Sequence, residues 1–470
     1  MSNPYNYGNV VSDPSMFFGR EDILRKLCTR LEKMESTSVV GLRRIGKSSL
    51  LCQLARILPG RLGRNYVPLY VDLHDARYRT VVSFVNTVAL RLDQKLGGVL
   101  GVQAEDATSH EGILQQDHLI RLRQILDAKF SRDELCTFCF DLDVDYENLP
   151  GESKASKARE LVIYLERRGR ISHLVKLGAQ RRPKEVWEDT PEATGRLPVS
   201  SQDGPLGRVR EFLRPKRSRC RLTSGTVTDM ASFSEMLDIL DDIDVRPVLC
   251  LDEFEEFIRH PKEFGDDFLE PLRSLGAHSK LAMVTASRTS LIDLVKGGQL
   301  TSPFYNIFAQ TELGLLGYDA ARELRRIPFE RDNIVLSPEH EALVKELGGR
   351  HPFFLQIACH HLFETFSRPR DKWTGFVQER FSHDAEPHFD QLRDYLSDGE
   401  RAALGVVAGQ DSLSDETEAA LKRLERLGVV EWRDGKWQPF SQAFAKHVRR
   451  YLPPERRNVL QWLRDRVRRS

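Results

Sequence analysis

The residues best equipped for chemistry lie early in the chain. Thr37-Ser38-Val39-Val40 is a short β-branched run that stops at Gly41-Leu42-Arg43-Arg44-Ile45-Gly46-Lys47-Ser48-Ser49. An apolar helical pattern of Leu50, Leu51, Leu54, Ala55 and Leu58 follows. Strand, G-x-x-x-x-G-K-S loop and helix in that order predict a phosphate cradle. Gly41 and Gly46 let successive backbone N–H groups converge on phosphate oxygens, and the helix N-terminus adds its positive dipole end. Lys47 offers a point charge to the β- and γ-phosphates and Ser48 a hydroxyl to Mg²⁺, with Arg44 and Ser49 beside them in the loop. The expected cofactors are ATP and Mg²⁺.

Such a loop needs a distant acid to hold the metal. Arg246-Pro247-Val248-Leu249-Cys250-Leu251-Asp252-Glu253 runs from apolar residues into two acids, as a buried parallel strand does at its ligand-binding C-terminal edge. Asp252 would hold Mg²⁺; Glu253 would orient and deprotonate the water that attacks the γ-phosphate. Two more strands are expected, Tyr66 to Leu73 and Lys280 to Arg288. The second would set Thr285, Ser287 and Arg288 beside Asp252, where Arg288 could sense the γ-phosphate; a surface ion pair is its alternative. Strands alternating with helices, such as the pattern from Val81 to Leu96, predict an α/β fold with a three-layer P-loop core.

With these residues in place, the chain resembles the STAND class of P-loop ATPases within the AAA+-like group. Phe17-Phe18-Gly19-Arg20 resembles that group's aromatic-Gly-Arg box, which implies that Phe18, Gly19 and Arg20 lie near the adenine. Ala286-Ser287-Arg288 resembles its arginine sensor. Gly349-Arg350-His351-Pro352-Phe353-Phe354-Leu355 is similar to the lid segment whose proline, here Pro352, contacts nucleotide. The resemblance also implies a winged helix after the lid. The residues agree: a helix with Ala403, Leu404 and Val407, a second from Glu416 to Leu427, and a hairpin of Val429 to Trp432 and Lys436 to Phe440 turning at Asp434-Gly435. Packing on the nucleotide is the expected use of this module. DNA binding through it, as in a loader or initiator, is the alternative, and the mixed charge of Lys422, Arg423 and Arg426 with Glu416, Glu418 and Glu425 speaks against it.

Lys47 and Asp252 are 205 residues apart, more than the core requires, so a domain is inserted. Leu119, Leu122, Ile125 and Leu126 share a helical face, Ser131-Arg132-Asp133-Glu134 is a capping box, and Lys157 to Arg170 carries Ala158, Leu161, Val162 and Leu165. A last short helix holds Ile171, Leu174 and Val175. With Asp133-Glu134-Leu135, Phe140-Asp141, Asp145 to Gly151, Lys157 to Val162 and Tyr164 to Gly169, this all-α bundle resembles the death-fold-like effector-associated domains of bacterial conflict systems. The resemblance implies a non-catalytic adaptor that recruits an effector bearing a matching domain, in defence or programmed cell death, from an ATP-dependent homo-oligomer. Cys136 and Cys139 are expected to pack as small apolar residues, and Cys359-His360-His361 to lie on a lid-helix surface rather than in a metal site.

The expected organisation is a core split into 1–115 and 227–325, the bundle at 116–180, a basic, proline-containing linker at 181–226, a helical lid at 326–388, a winged helix at 389–453 and a basic C-terminal helix at 454–470. The linker carries Pro183, Pro191, Pro198, Pro205 and Pro215 and the run Lys216-Arg217-Ser218-Arg219-Cys220-Arg221, read as solvated chain rather than a nucleic-acid patch. Of the 470 residues 40% are hydrophobic and 30% charged, which excludes a disordered chain. No apolar run approaches the ~18 residues of a membrane span, the N-terminus has no secretory pattern, and seven sparse cysteines fit a reducing cytoplasm. The net charge of +1 hides local blocks, with 18 basic against 9 acidic residues over 151–221.

Overall fold

A computed structural model describes residues 3–11, 13–103, 122–123, 125–127, 129–142, 144–146, 149, 154–168, 170–182, 187, 222, 225–297, 303–367, 372–409 and 415–451. Leu119, the connector residues Asp143, Glu147, Asn148, Pro150 and Gly151, Gly169, the linker prolines, the basic run to Arg221 and the expected C-terminal helix lie outside them. The chain divides into two compact units, Met1–Phe84 with Leu240–Ser470, and Val85–Ile239.

The first unit is built on α1 (Glu21–Glu32), β1 (Ser36–Val40), α2 (Lys47–Leu62), β2 (Tyr66–Asp72), β3 (Arg246–Asp252), β4 (Ala282–Ser287) and β5 (Phe308–Glu312). All strand pairs are parallel and the order is β2-β3-β4-β1-β5. The strands β1 to β4 are almost wholly buried, as a parallel sheet covered on both faces requires, and β1 buries Ser36, Thr37 and Ser38 with Val39 and Val40. β4 lies between β1 and β3, so the C-terminal ends of β1 and β3 flank Ser287 and Arg288. β5 was not expected. It is a half-exposed edge strand, Phe-Ala-Gln-Thr-Glu, without the apolar run of β2 and β3.

Four further helices follow the sheet: α3 (Tyr318–Arg331), α4 (Pro338–Gly348), α5 (Pro352–Ser367) and α6 (Trp373–Tyr395). The expected helix, helix and hairpin come next as α7 (Asp398–Gly409), α8 (Asp415–Arg426), β6 (Val430–Arg433) and β7 (Lys436–Pro439), closed by α9 (Gln442–Arg449). Asp434 (φ 53°) and Gly435 (φ 73°) both adopt the left-handed backbone that a two-residue hairpin turn demands. One core joins this module to the preceding helices: Phe354 stacks on Phe440 (5.3 Å), and Phe440 on Phe444 (4.8 Å). Gly349 (φ 57°) permits the closest approach, since a Cβ there would lie 1.8 Å from Phe440 O. Arg350 pairs with Glu431 at 2.7 Å, a carboxylate otherwise buried.

The Cys359-His360-His361 expectation is corrected here. Cys359 and His361 are buried, at 0% and 5% exposure, and α5 is not an exposed surface helix at this point. Glu364, three and four residues on, and Asp384 of α6 both reach the histidines, partners that helical spacing brings together.

In the second unit, helices Arg132–Asp141, Lys154–Arg167 and Ile171–Arg181 surround a core of Phe130, Leu135, Phe138, Ala158, Leu161, Leu165 and Leu174. The capping box at Ser131 and Glu134 is formed in both directions. Two expectations change. Cys139 is buried, but Cys136 is exposed and contributes nothing to the core. The bundle also extends past residue 180: Trp187 is 2% exposed against Phe130 and Phe138, and a Cβ at Gly178 would collide with its ring at 2.3 Å. A lone indole among polar neighbours carries no periodicity, which is why its burial was invisible in sequence. Among the described residues no helix is long and apolar enough to cross a membrane.

Candidate functional site

β1 delivers the glycine loop and α2 receives it. Gly41 N donates to Ser287 O (3.1 Å), fastening the loop to β4. A Cβ on Gly41 would lie 2.7 Å from Leu313 O, so only glycine fits the turn. Arg44 (φ 68°) and Gly46 (φ 102°) take left-handed backbone, strained for Arg44 and free for Gly46. The N-terminus of α2 has no side-chain cap, and it opens into a cavity of about 330 Å³. Its first-turn N–H groups have no intrahelical partner, so this end is suited to an anion.

Phe18, Arg20, Arg44, Gly46, Lys47, Ser48, Ser49, Glu253 and Pro352 line that cavity; Gly19, Gly41, Asp252 and Arg288 do not. Lys47 Nζ donates to Gly41 O (2.9 Å) and Leu42 O (3.2 Å) and is 5% exposed. Burial pushes its pKa down, while the charges of Glu253, Glu255 and Asp252 pull it back up.

Asp252 ends β3 as expected and is buried. Tyr70 Oη donates to its Oδ2 (2.8 Å), and the Glu253 N–H donates to its Oδ1 (3.0 Å). Burial, and then the Asp252 charge, raises the pKa of the Tyr70 hydroxyl, so Tyr70 stays a donor. Glu253 has φ 52°, a left-handed conformation that turns its carboxylate off the strand and into the cavity wall. Arg288 lies 3.7 Å from Glu253 Oε2, and Tyr395 Oη donates to its carbonyl (3.2 Å).

Three features escaped the sequence reading. Glu255 is 6% exposed, accepts a hydrogen bond from the Arg288 N–H, and keeps its Oε2 without a partner; burial raises its carboxyl pKa. The arm at 6–11 forms part of the cavity wall. Ser49 Oγ accepts from Val11 N (3.0 Å), and the Arg44 guanidinium donates to Tyr7 O and Gly8 O (both 3.3 Å) while covering the Phe353 ring. Arg20, expected near an adenine, lines the cavity and donates its guanidinium to the carbonyls of Gly314 (2.6 Å), Leu315 (3.3 Å) and Ile45 (3.4 Å). Gly19 (φ 72°) makes room for α3, where a Cβ would lie 2.0 Å from Ala320 Cβ.

Residues 122–183 match the family Effector-associated domain 7, and residues 245–412 match Novel STAND NTPase 2. These two matches support a STAND-type NTPase segment and an effector-associated domain in one chain. No curated protein matches it. Among solved structures it is similar to the Walker-type ATPase of Pyrococcus abyssi, at 15% identity and a TM-score of 0.44 over 94% of this chain and 99% of that one. It is also similar to the Aeropyrum pernix ORC1 protein in complex with DNA, at 12% identity and 0.38 over 93% and 94%. The Aeropyrum pernix ORC2 protein follows at 11% and 0.36 over 94% and 91%.

Proposed function

We propose that the chain is an ATP-hydrolysing signalling switch of the cytoplasm that recruits an effector through its effector-associated domain, in bacterial defence or programmed cell death. The observation that carries this is one cavity shared by the uncapped α2 N-terminus, Lys47, Glu253 and the lid residues Pro352, Phe353 and Gln356. Phosphates occupy the loop from Gly41 to Ser49, with Lys47 as their point charge. Phe18 and Arg20, joined through Gly19, shape the base end, and Pro352 closes the lid side.

The hydroxyl of Ser48 and the carboxylate of Asp252 are hard oxygen donors that fit Mg²⁺, and the buried, unpartnered Oε2 of Glu255 lies within electrostatic reach of Lys47. Bound Mg²⁺ supplies charge neutralisation to the phosphates. Glu253 holds and deprotonates the attacking water, and Arg288, within reach of Glu253, registers whether the γ-phosphate is present. The lid and the α7–β7 module, read as a winged helix, share one core, so a change at Pro352 moves both. ATP then favours a homo-oligomer that presents the adaptor bundles together.

DNA loading through α8 is the weaker reading. Its basic residues are already paired, Lys422 with Glu418 (3.0 Å), Arg423 with Glu400 (3.0 Å) and Arg426 with Glu312 (3.8 Å). The test is phosphate release from ATP by the purified chain beside DNA binding over a salt series. Turnover lost in Lys47→Ala, without salt-steep DNA affinity, supports the switch; salt-steep DNA binding with nucleotide-dependent affinity overturns it.

A further inference from the structure

Outside the nucleotide cavity, α5 and α6 build a polar cluster that the ATPase reading does not use. His360 Nδ1 lies 2.7 Å from Tyr5 O, a carbonyl that can only accept, so this nitrogen carries the proton and Nε2 is the free lone pair. His361 Nε2 lies 2.8 Å from Asp384 Oδ2, which also accepts from Tyr7 Oη at 2.6 Å. The proton on His361 therefore faces Asp384, leaving Nδ1 as its second ring nitrogen. Both inner nitrogens point at one carboxylate: His360 Nε2 is 3.8 Å from Glu364 Oε1, and His361 Nδ1 is 3.2 Å from Glu364 Oε2. The three donor atoms all lie within 4.8 Å of one another.

We propose that His360 Nε2, His361 Nδ1 and the Glu364 carboxylate form a divalent transition-metal site of the zinc type, with Tyr5 O and Asp384 as the outer groups that orient the two imidazoles. The two histidine–carboxylate spacings fit: two ligands of a tetrahedral ion at ~2.1 Å stand roughly 3.4 Å apart, between the 3.8 Å and 3.2 Å seen here. The outer pattern fits as well, because a ligating histidine ordinarily gives its other N–H to a carbonyl or a carboxylate, and here one does each. His361 Nδ1 and Glu364 Oε2 are also two electron-pair donors at contact distance, and a proton or a metal ion must lie between them. His360 and Glu364 are partly exposed, which leaves an entry path and a fourth position for water. Two imidazoles and one carboxylate select zinc-like ions over Mg²⁺ or Ca²⁺, so the site is chemically distinct from the nucleotide's own metal.

The site would pin the N-terminal arm, since Tyr5 and Tyr7 reach it from the segment whose residues 6–11 wall the nucleotide cavity. Neither the ligands nor their orienting groups belong to the phosphate loop, so the inference stands apart from the proposed ATPase role.

The probe is Zn²⁺ alone, titrated into the full chain after chelator treatment and without nucleotide, beside Glu364→Gln and His360→Gln. One tight equivalent in the wild type, weakened at least tenfold in each variant, supports the site. Zinc affinity unchanged in both variants, or no stoichiometric binding in the wild type, overturns it. Glu364 is nearly half exposed, so its variant is expected to fold, and far-UV dichroism in chelator checks that. Co²⁺ in the wild type gives an independent readout: intense visible d–d bands of a four-coordinate N/O site are expected, and a weak octahedral spectrum contradicts the proposal.

Discussion

The Arg288 guanidinium stands 3.7 Å from the Glu253 carboxylate, across the ends of β4 and β3. Glu253 is held there by a left-handed backbone (φ 52°) that lifts it off the strand, while Asp252, one residue earlier, stays buried under Tyr70. Two adjacent acids thus have different surroundings: Glu253 lines the cavity, and Asp252 is buried and held by Tyr70 and the Glu253 N–H. That separation suits a base and a metal ligand.

Glu253→Gln keeps the shape of the side chain and removes the base. Hydrolysis of ATP is expected to fall by ~10²-fold or more, with nucleotide binding retained. Phosphate release and titration with a fluorescent ATP analogue check the two halves separately. Turnover within a few-fold of wild type would exclude Glu253 as the base.

Arg20 is a structural tie between α1, the loop and the chain after β5. Burial lowers its pKa to about 10, so it remains charged at neutral pH. Arg20→Ala is expected to orphan the buried carbonyls it serves and destabilise the first unit by ~2–4 kcal/mol. A chemical denaturation curve measures this. An adenine-contacting role alone would leave stability unchanged.

Gly349→Ala places a Cβ where the Phe440 carbonyl already lies, at a φ that also disfavours alanine. Separation of the lid from the β7–α9 segment is expected, with a loss of about 3 kcal/mol or more. Thermal melting reports the loss, and Gly375→Ala, where nothing lies within 4 Å, serves as the control.

His351 is 1% exposed between Phe354 and Phe440, neither ring nitrogen has a partner, and burial pushes its pKa down to about 3. A depressed histidine pKa means that the unfolded chain binds the proton more readily. Its contribution is intact above pH 6.5 and is lost progressively as pH falls toward 3. From pH 7 to pH 5 the loss is about 2 kcal/mol. Stability curves of wild type and His351→Gln should converge over that interval; parallel curves would contradict it.

Much of this was legible because the chemistry sits where composition changes abruptly. The strands β2 and β3 are mostly apolar and β1 ends on the β-branched Val39-Val40, and the loop and acids stand at the ends of β1 and β3, so Lys47, Ser48, Asp252 and Glu253 could be placed by pattern. β5 was not, because an edge strand such as Phe308–Glu312 needs apolar residues on one side only. The arm around Tyr7 and Val11 was missed for a related reason: its contacts to the phosphate loop run through its own backbone atoms, which leave no side-chain period. Arg20 was legible as a motif but not as a tie to three carbonyls, since carbonyl partners leave no trace in residue type. His360 and His361 were read without Glu364, although helical spacing alone sets that carboxylate beside both.

The central claim is that ATP drives assembly through this cavity. Light scattering coupled to size exclusion, with ATP·Mg²⁺, with ADP, and for Lys47→Ala with ATP·Mg²⁺, measures it directly. A larger species with ATP in the wild type only is the predicted result. One mass under all three conditions would contradict the account.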